Sequence, residues 1–311
     1  MKDKKIVVLM GGPSAEAEVS LNTGKAILAA LKEKGYNAEG LELDPHHLVE
    51  QLRERHCDIV FNAVHGKFGE DGVLQGVLDM IGIPYTGSGV LASAVTMDKV
   101  VSKNIFMARG ISTPRSKSYL KEDQQRDLVK EIMQEFSLPV VVKSAAQGSS
   151  IGVSIVEKQA NLQQALVTAF EYSHDVLIEE FIKGRELTVA VWGNSADKTA
   201  LPIIEIVPHS GTYDYQSKYT KGATEYIVPA NLDAAITKSV QELAVRTFTA
   251  AGCSGIARVD LMLDKDNIPY VLEVNSVPGM TATSLVPKAA QALGIEFPAL
   301  CEKLLAMVNL D

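Results

Sequence analysis

Five consecutive apolar residues, Ile6 to Met10, end at Gly11-Gly12-Pro13. A run that short and that uniformly apolar offers no solvated face, so it reads as a parallel strand covered on both sides. The glycines release the chain into a helix, on which Gly24, Ile27, Leu28 and Leu31 recur at i, i+3, i+4 and i+7 before Gly35 stops it. Residues 38–43, 58–64 and 83–86 read as a second, a third and a short fourth strand. Strands alternating with helices require a parallel sheet with helical crossovers, so residues 1–90 form a compact α/β unit.

The rest of the chain changes character. Residues 91–109 read as one helix ending at Gly110, and Pro114 marks the passage into a β-rich stretch. Strands are expected at 139–143 and 151–156, joined by the small-residue loop 144–150. A helix over 159–171 precedes strands at 175–181, 185–192 and 201–207. Residues 208–230 lack periodicity and read as a long closing loop, since loops of that length inside a compact enzyme are usually functional. A helix over 233–251, a strand pair at 256–263 and 268–275, and two closing helices complete the chain. At 311 residues it exceeds the size at which one core stops growing. We therefore divide it into an N-terminal α/β domain (1–96), a central lobe (97–182) and a C-terminal lobe (183–311).

Charge narrows the function. With 38 acidic against 30 basic residues the net charge is −8, which leaves no basic field for nucleic acid or an anionic membrane. Cys57, Cys253 and Cys301 are three, widely spaced, and form neither a disulfide framework nor a zinc pattern. No window is long and apolar enough for a signal segment or a membrane span, so a cytoplasmic protein is expected.

Five segments carry chemistry. In Arg258-Val-Asp260 and Glu273-Val-Asn275, polar and apolar residues alternate, which puts the polar ones on one face of each strand. A turn at Asp264–Asn267 would pair 263 with 268 and bring 258 opposite 273. Two carboxylates and an amide oxygen suit Mg²⁺ or Mn²⁺, although the same face could simply be solvated. Lys143 precedes the loop Gly148-Ser149-Ser150, whose backbone N–H groups can fold over phosphates, as can any plain Ser/Gly hairpin. Glu179 and Glu180 close one strand and Glu186 opens the next, as ribose-binding or merely solvent-facing acids. Glu16 follows the first strand and His65 the third, both at the carboxyl edge where open α/β sheets bind ligands. Glu16 could grip an ammonium group or only complement the helix dipole. The glycine fingerprint of a dinucleotide site is missing.

Taken in order, these segments resemble a known family. Gly11-Gly-Pro-Ser-Ala-Glu16, Ala63-Val-His65-Gly, Gly69-Glu-Asp-Gly72, Tyr85-Thr-Gly-Ser-Gly89, Met97-Asp98-Lys99, Gly148-Ser-Ser-Ile-Gly152, Tyr213-Asp-Tyr215 with Lys218-Tyr219, Arg258-Val-Asp260 and Glu273-Val-Asn-Ser-Val-Pro-Gly-Met280 are similar to the motifs of bacterial D-alanine–D-alanine ligases, members of the ATP-grasp superfamily. The resemblance implies a three-domain α/β ATP-grasp fold, with a Rossmann-like N-terminal domain and ATP between two antiparallel sheets. It implies ligation of two D-alanines through a D-alanyl phosphate, for peptidoglycan precursors, in a homodimer. Lys99, Lys143, Ser150, Glu179, Glu180, Glu186 and Lys218 are then expected around ATP. Asp260, Glu273 and Asn275 are expected on two Mg²⁺ or Mn²⁺ ions. Glu16 and His65 are expected at the first D-alanine, Arg258 and the Gly279 N–H at the oxyanion, and Ser284 and Leu285 at the second D-alanine. Ser149 and Tyr219, linked to Glu16, are expected to favour an amine over an alcohol nucleophile.

Two other classes compete. A related ligase for a different amino or hydroxy acid would share everything but substrate profile. A nucleotide- or amino-acid-sensing protein would not need the full set Lys99, Lys143, Arg258, Asp260, Glu273 and Asn275.

Overall fold

The computed structural model describes residues 1–146, 148, 152–194, 197–209 and 222–308. β1 (Ile6–Met10) is the middle of a parallel three-stranded sheet, between β2 (Ala38–Glu42) and β3 (Ile59–Asn62). All five β1 residues are buried because successive side chains enter different cores: Ile6, Val8 and Met10 pack with helix α1 (Ala17–Glu33), Val7 and Leu9 with α2 (Leu48–Glu54) and α3 (Val73–Ile81). The expected fourth strand is reduced to one bridge, Val60 to Tyr85, because Pro84 has no N–H to extend the ladder.

The helix expected over 91–109 is two helices, α4 (Val90–Met97) and α5 (Lys99–Ala108). Asp98 breaks them: its backbone is extended, and its side chain accepts from the N–H groups of Val100 (2.9 Å) and Val101 (3.0 Å). That is an N-cap, and apolar periodicity runs through it unmarked. The break makes Lys99 the first residue of α5, with its backbone N–H on the Ala145 carbonyl.

The central sheet is antiparallel, from β4 (Ser116–Leu120), β5 (Val140–Ser144), β6 (Val153–Val156) and β7 (Asp175–Glu180), in the order β4-β7-β5-β6. Helices α6 (Leu128–Glu135) and α7 (Leu162–Tyr172) cover one face around Ile132, Leu166 and Phe170. The C-terminal sheet contains β8 (Gly184–Gly193), β9 (Thr199–Ala200), β10 (Ile204–Pro208), β11 (Thr224–Ile227), β12 (Gly255–Asp264) and β13 (Pro269–Asn275). Its order is β11-β10-β8-β12-β13, with β9 also on β8 and α8 (Ala234–Ala250) packed across it. Residues 208–230 are thus not all loop: Thr224–Ile227 pairs with β10, and 210–221 lie outside the described residues.

The last two helices, α9 (Leu285–Gln291) and α10 (Phe297–Leu305), return to the start of the chain. Leu300 and Leu304 share a core with Ile27, Leu31 and the β1 face, and with Trp192 and Ile206 of the C-terminal sheet. The first and third lobes therefore share a core; the β4–β7 sheet has its own, while Phe106 of α5 and Ile111 pack into the core of the C-terminal sheet. Among the described residues no helix is long and apolar enough to cross a membrane.

The β12–β13 register differs from expectation. Leu263 faces Pro269, and a bulge between Asp260 and Leu261 adds one more residue of shift, so Arg258 lies opposite Asn275 and Asp260 opposite Glu273. The turn accounts for the first step: Asn267 is left-handed (φ 60°), and Asp264 Oδ1 accepts from the N–H of Asp266 and Ile268. A one-residue slip would have turned every side chain to the other face, whereas two slips restore it. The four polar residues consequently still converge.

Candidate active site between the lobes

Asp260 is the hub of that face. It accepts from Arg258 Nε (2.8 Å to Oδ1) and Nη2 (2.7 Å to Oδ2), from Asn275 Nδ2 (3.0 Å) and from Thr188 Oγ1 on β8 (2.5 Å). The bidentate Arg258 pair fixes the guanidinium in a plane, as a lysine could not. Glu273, directly opposite Asp260, lies 3.3 Å from Lys99 Nζ of the central lobe.

Three lysines gather beside these acids. Lys143, on β5, meets Glu179 Oε2 at 2.5 Å, and Lys103, on α5, meets Glu179 Oε1 at 2.6 Å. Burial alone would push the Lys143 ammonium down, but Glu179, with Glu273 and Glu186 beyond it, holds it above its ordinary value. Glu179 and Glu180 end the same strand yet part company, since alternation turns Glu179 inward onto the lysines and leaves Glu180 exposed. Glu186 stands on β8 opposite Met262 and Ile206.

The N-terminal domain supplies the other wall. Glu16 Oε2 lies 3.0 Å from where a Cβ would stand on either Gly66 or Gly148, so glycine at both positions lets the two loops close on this carboxylate. His65 is buried, with Nδ1 3.2 Å from Glu70 Oε1 and Nε2 3.1 Å from Thr23 Oγ1. A carboxylate only accepts, which puts a proton on Nδ1 and orients the ring. Gly279 abuts Ser284, whose Oγ would be 3.0 Å from a Cβ there and accepts from the Thr281 N–H at 3.0 Å. The Leu285 side chain belongs to the core, so its backbone is what it can present to a ligand. One small cleft is lined from all three lobes, by Glu70 and Thr96, by Lys99 and Gly148, and by Glu273, Asn275 and Ser276.

Residues 105–306 match the family model described as D-ala D-ala ligase C-terminus, and residues 45–88 the one described as D-ala D-ala ligase N-terminus. The chain is 48% identical to the D-alanine–D-alanine ligase of Pelotomaculum thermopropionicum, over 98% of this chain and 97% of that one. The chain belongs to the D-alanine–D-alanine ligase family. It is also 47% identical to the ligase of Syntrophotalea carbinolica, over 100% of this chain and 98% of that one. Among solved structures, a Bacillus anthracis D-alanine–D-alanine ligase complexed with ATP superposes with a TM-score of 0.84, at 36% identity over 98% of this chain and 97% of that one. The VanG D-Ala:D-Ser ligase of Enterococcus faecalis also superposes at 0.84, with 30% identity over 98% and 99%. The fold is the ATP-grasp fold of these ligases.

Of the expected site residues, Lys99, Glu273 and Asn275 line the cleft; Asp260, bonded to Arg258 and to Asn275, lies beside it, and Glu16 lies against Gly148. Ser149, Ser150, Lys218 and Tyr219 lie outside the described residues. The donor set at Asp260, Glu273 and Asn275 fits a hard divalent cation: all three offer oxygen, and they are neighbours across one strand pair. Among the described residues no three His, Cys, Asp or Glu side chains close on one point, so phosphate oxygens would have to complete the shell. Thr188 and Lys103 escaped the sequence reading, and Glu70 and Ser276 stood there only inside the family motifs. Lys103 carried a usable signal, its i+4 spacing from Lys99 on one helix face.

Proposed function

We propose that the chain joins two D-alanine molecules into D-alanyl-D-alanine, releasing ADP and phosphate, as a step in peptidoglycan precursor synthesis. Full-length similarity to ligases of that name, combined with a cleft that sets lysines against paired carboxylates, carries this reading. The first D-alanine carboxylate attacks the γ-phosphorus of ATP, ADP leaves, and a D-alanyl phosphate forms. The second D-alanine's amine then attacks the acyl carbon, the C–O bond to phosphate breaks, and the nitrogen gives up a proton.

Phosphoryl transfer needs charge neutralisation and alignment more than covalent help. Lys99 and Lys143 supply the charge, with Ser150 and Lys218 completing the phosphate contacts. Glu186 holds the ribose, while Glu180 and Glu179 border the adenine side, Glu179 acting through Lys143. Asp260, Glu273 and Asn275 would hold two Mg²⁺ or Mn²⁺ ions, whose chemistry is to neutralise the phosphates. Glu16 holds the first substrate's ammonium, with His65 near its carboxylate. Arg258 and the Gly279 N–H stabilise the oxyanion, each donor contributing about 3–4 kcal/mol in comparable sites. Ser284 and Leu285 hold the second carboxylate.

The protein works in the cytoplasm, where its substrates are. It pairs with a second copy through α3 and α4, where Val73, Met80, Val90 and Leu91 are exposed on adjoining helices. Sedimentation of a Met80→Glu, Leu91→Glu variant as an unchanged dimer would exclude that face. The reaction itself is tested by coupled ADP release with Mg²⁺-ATP, products identified by mass. One D-alanyl-D-alanine per ADP is expected; ADP release only with D-serine, D-lactate or another acceptor keeps the chemistry and overturns the substrate.

A further inference from the structure

Lys103 lies one turn beyond Lys99 on α5, and the reaction described above gives it no part. Its side chain is sealed under the site: Lys103 and Glu179 are each 1% exposed, and Lys143 is 8% exposed. One carboxylate serves two ammonium groups, Oε1 that of Lys103 and Oε2 that of Lys143. The Lys103 contact is an ion pair off the hydrogen-bond direction, since neither Lys103 Nζ nor Glu179 Oε1 has a hydrogen-bond partner.

Such a cluster is a poor way to gain stability. Removing ions from water costs several kcal/mol each, and apolar replacements of equal volume are often as stable or more so. Its effect on charge is larger. Lys143 feels Glu179, Glu273 and Glu186, and Lys99 sits on Glu273. Without Lys103 the site loses one positive charge, and Glu179 is left to Lys143. A nucleotide carrying several negative charges would then meet a Lys143 whose charge Glu179 compensates in full. Burial pushes the Lys103 ammonium down to about 8, against the pull of Glu179.

We propose that Lys103 is a positioning residue for nucleotide binding: it occupies half of Glu179 and so leaves Lys143 cationic toward the phosphates. This rests on the reading of Lys143 as a phosphate-binding lysine.

The test is MgADP affinity by calorimetry, with KM for ATP and for D-alanine measured separately. In Lys103→Met, MgADP binding and KM for ATP should worsen by about tenfold or more, while KM for D-alanine stays within about twofold. Lys103→Arg should recover most of the loss. If Lys103→Met does not fold, Lys103→Gln takes its place in the same comparison. Unchanged MgADP affinity overturns the proposal, as does a loss that Lys103→Arg does not recover. Lys143→Met separates the two layers. If it still binds MgADP normally, the reading of the site fails; if it loses binding while Lys103→Met does not, only the role of Lys103 falls.

Discussion

Burial works to raise the Glu179 carboxyl, but Lys143 and Lys103 together overcome it and hold it below the ordinary 4.5. A folded-state value below the unfolded one means the unfolded chain binds the proton more readily. The contribution to stability is therefore complete above pH 4.5 and is lost as pH falls through the lowered value. Glu179→Gln should flatten the acid limb of urea midpoint against pH; a limb as steep as the parent's would show that Glu179 is not ionised in the fold. A second residue-scale expectation concerns Tyr219, which lies outside the described residues. If it favours an amine through Ser149 and Glu16, Tyr219→Phe should raise the ratio of ester to amide product with D-lactate and D-alanine supplied together. Product mass spectra read this directly, and an unchanged ratio removes Tyr219 from specificity.

At the scale of elements, Asp98 separates α4 from α5 and caps the helix that carries both Lys99 and Lys103. Asp98→Ala should cost about 1 kcal/mol by loss of the cap. Because the lysines ride on that helix, KM for ATP should rise with it. A variant with parental ATP kinetics but lowered melting temperature would confine Asp98 to stability. The segment between β10 and β11 is the other element-scale question. An acyl phosphate hydrolyses in water, so the site has to exclude it, and 210–221 spans the right place in the chain. Replacing 210–221 with a short linker should leave ATP cleavage exceeding dipeptide formation. One dipeptide per ADP in that variant would rule the segment out as a closing loop.

At the scale of the molecule, the first and third lobes share a core through α1, α9, α10 and Trp192, the β4–β7 sheet is packed around its own, and α5 is anchored by Phe106 in the C-terminal core. The Lys99–Glu273 ion pair bridges the central and C-terminal lobes across the cleft. Binding of Mg²⁺-ATP there should tie the lobes together, and at a hundredfold excess over Kd the stabilisation is about 2.7 kcal/mol. EDTA should abolish most of that thermal shift. A full shift without divalent cation would count against Asp260, Glu273 and Asn275 as metal ligands.

Strand alternation and helix periodicity made the parallel N-terminal sheet and the antiparallel strand pairs legible, because they are local: Ile6–Met10 has no wet face in any context, and Arg258-Val-Asp260 shares a face wherever it folds. The order of the motifs was enough to point to a family. What lay beyond the sequence was every decision that depends on a partner distant in the chain. Glu179 and Glu180 read alike until β5 and α5 bury one of them against two lysines. Apolar periodicity continues through residues 91–109, and only the Asp98 cap divides it. The hairpin register was two residues off because the left-handed turn at Asn267 moves it by one and the bulge at Asp260/Leu261 by another, and strand alternation marks neither. Lys103 is one of 30 basic residues. Packing alone made it a buried charge, since burial is a property of what surrounds a residue and not of the residue itself.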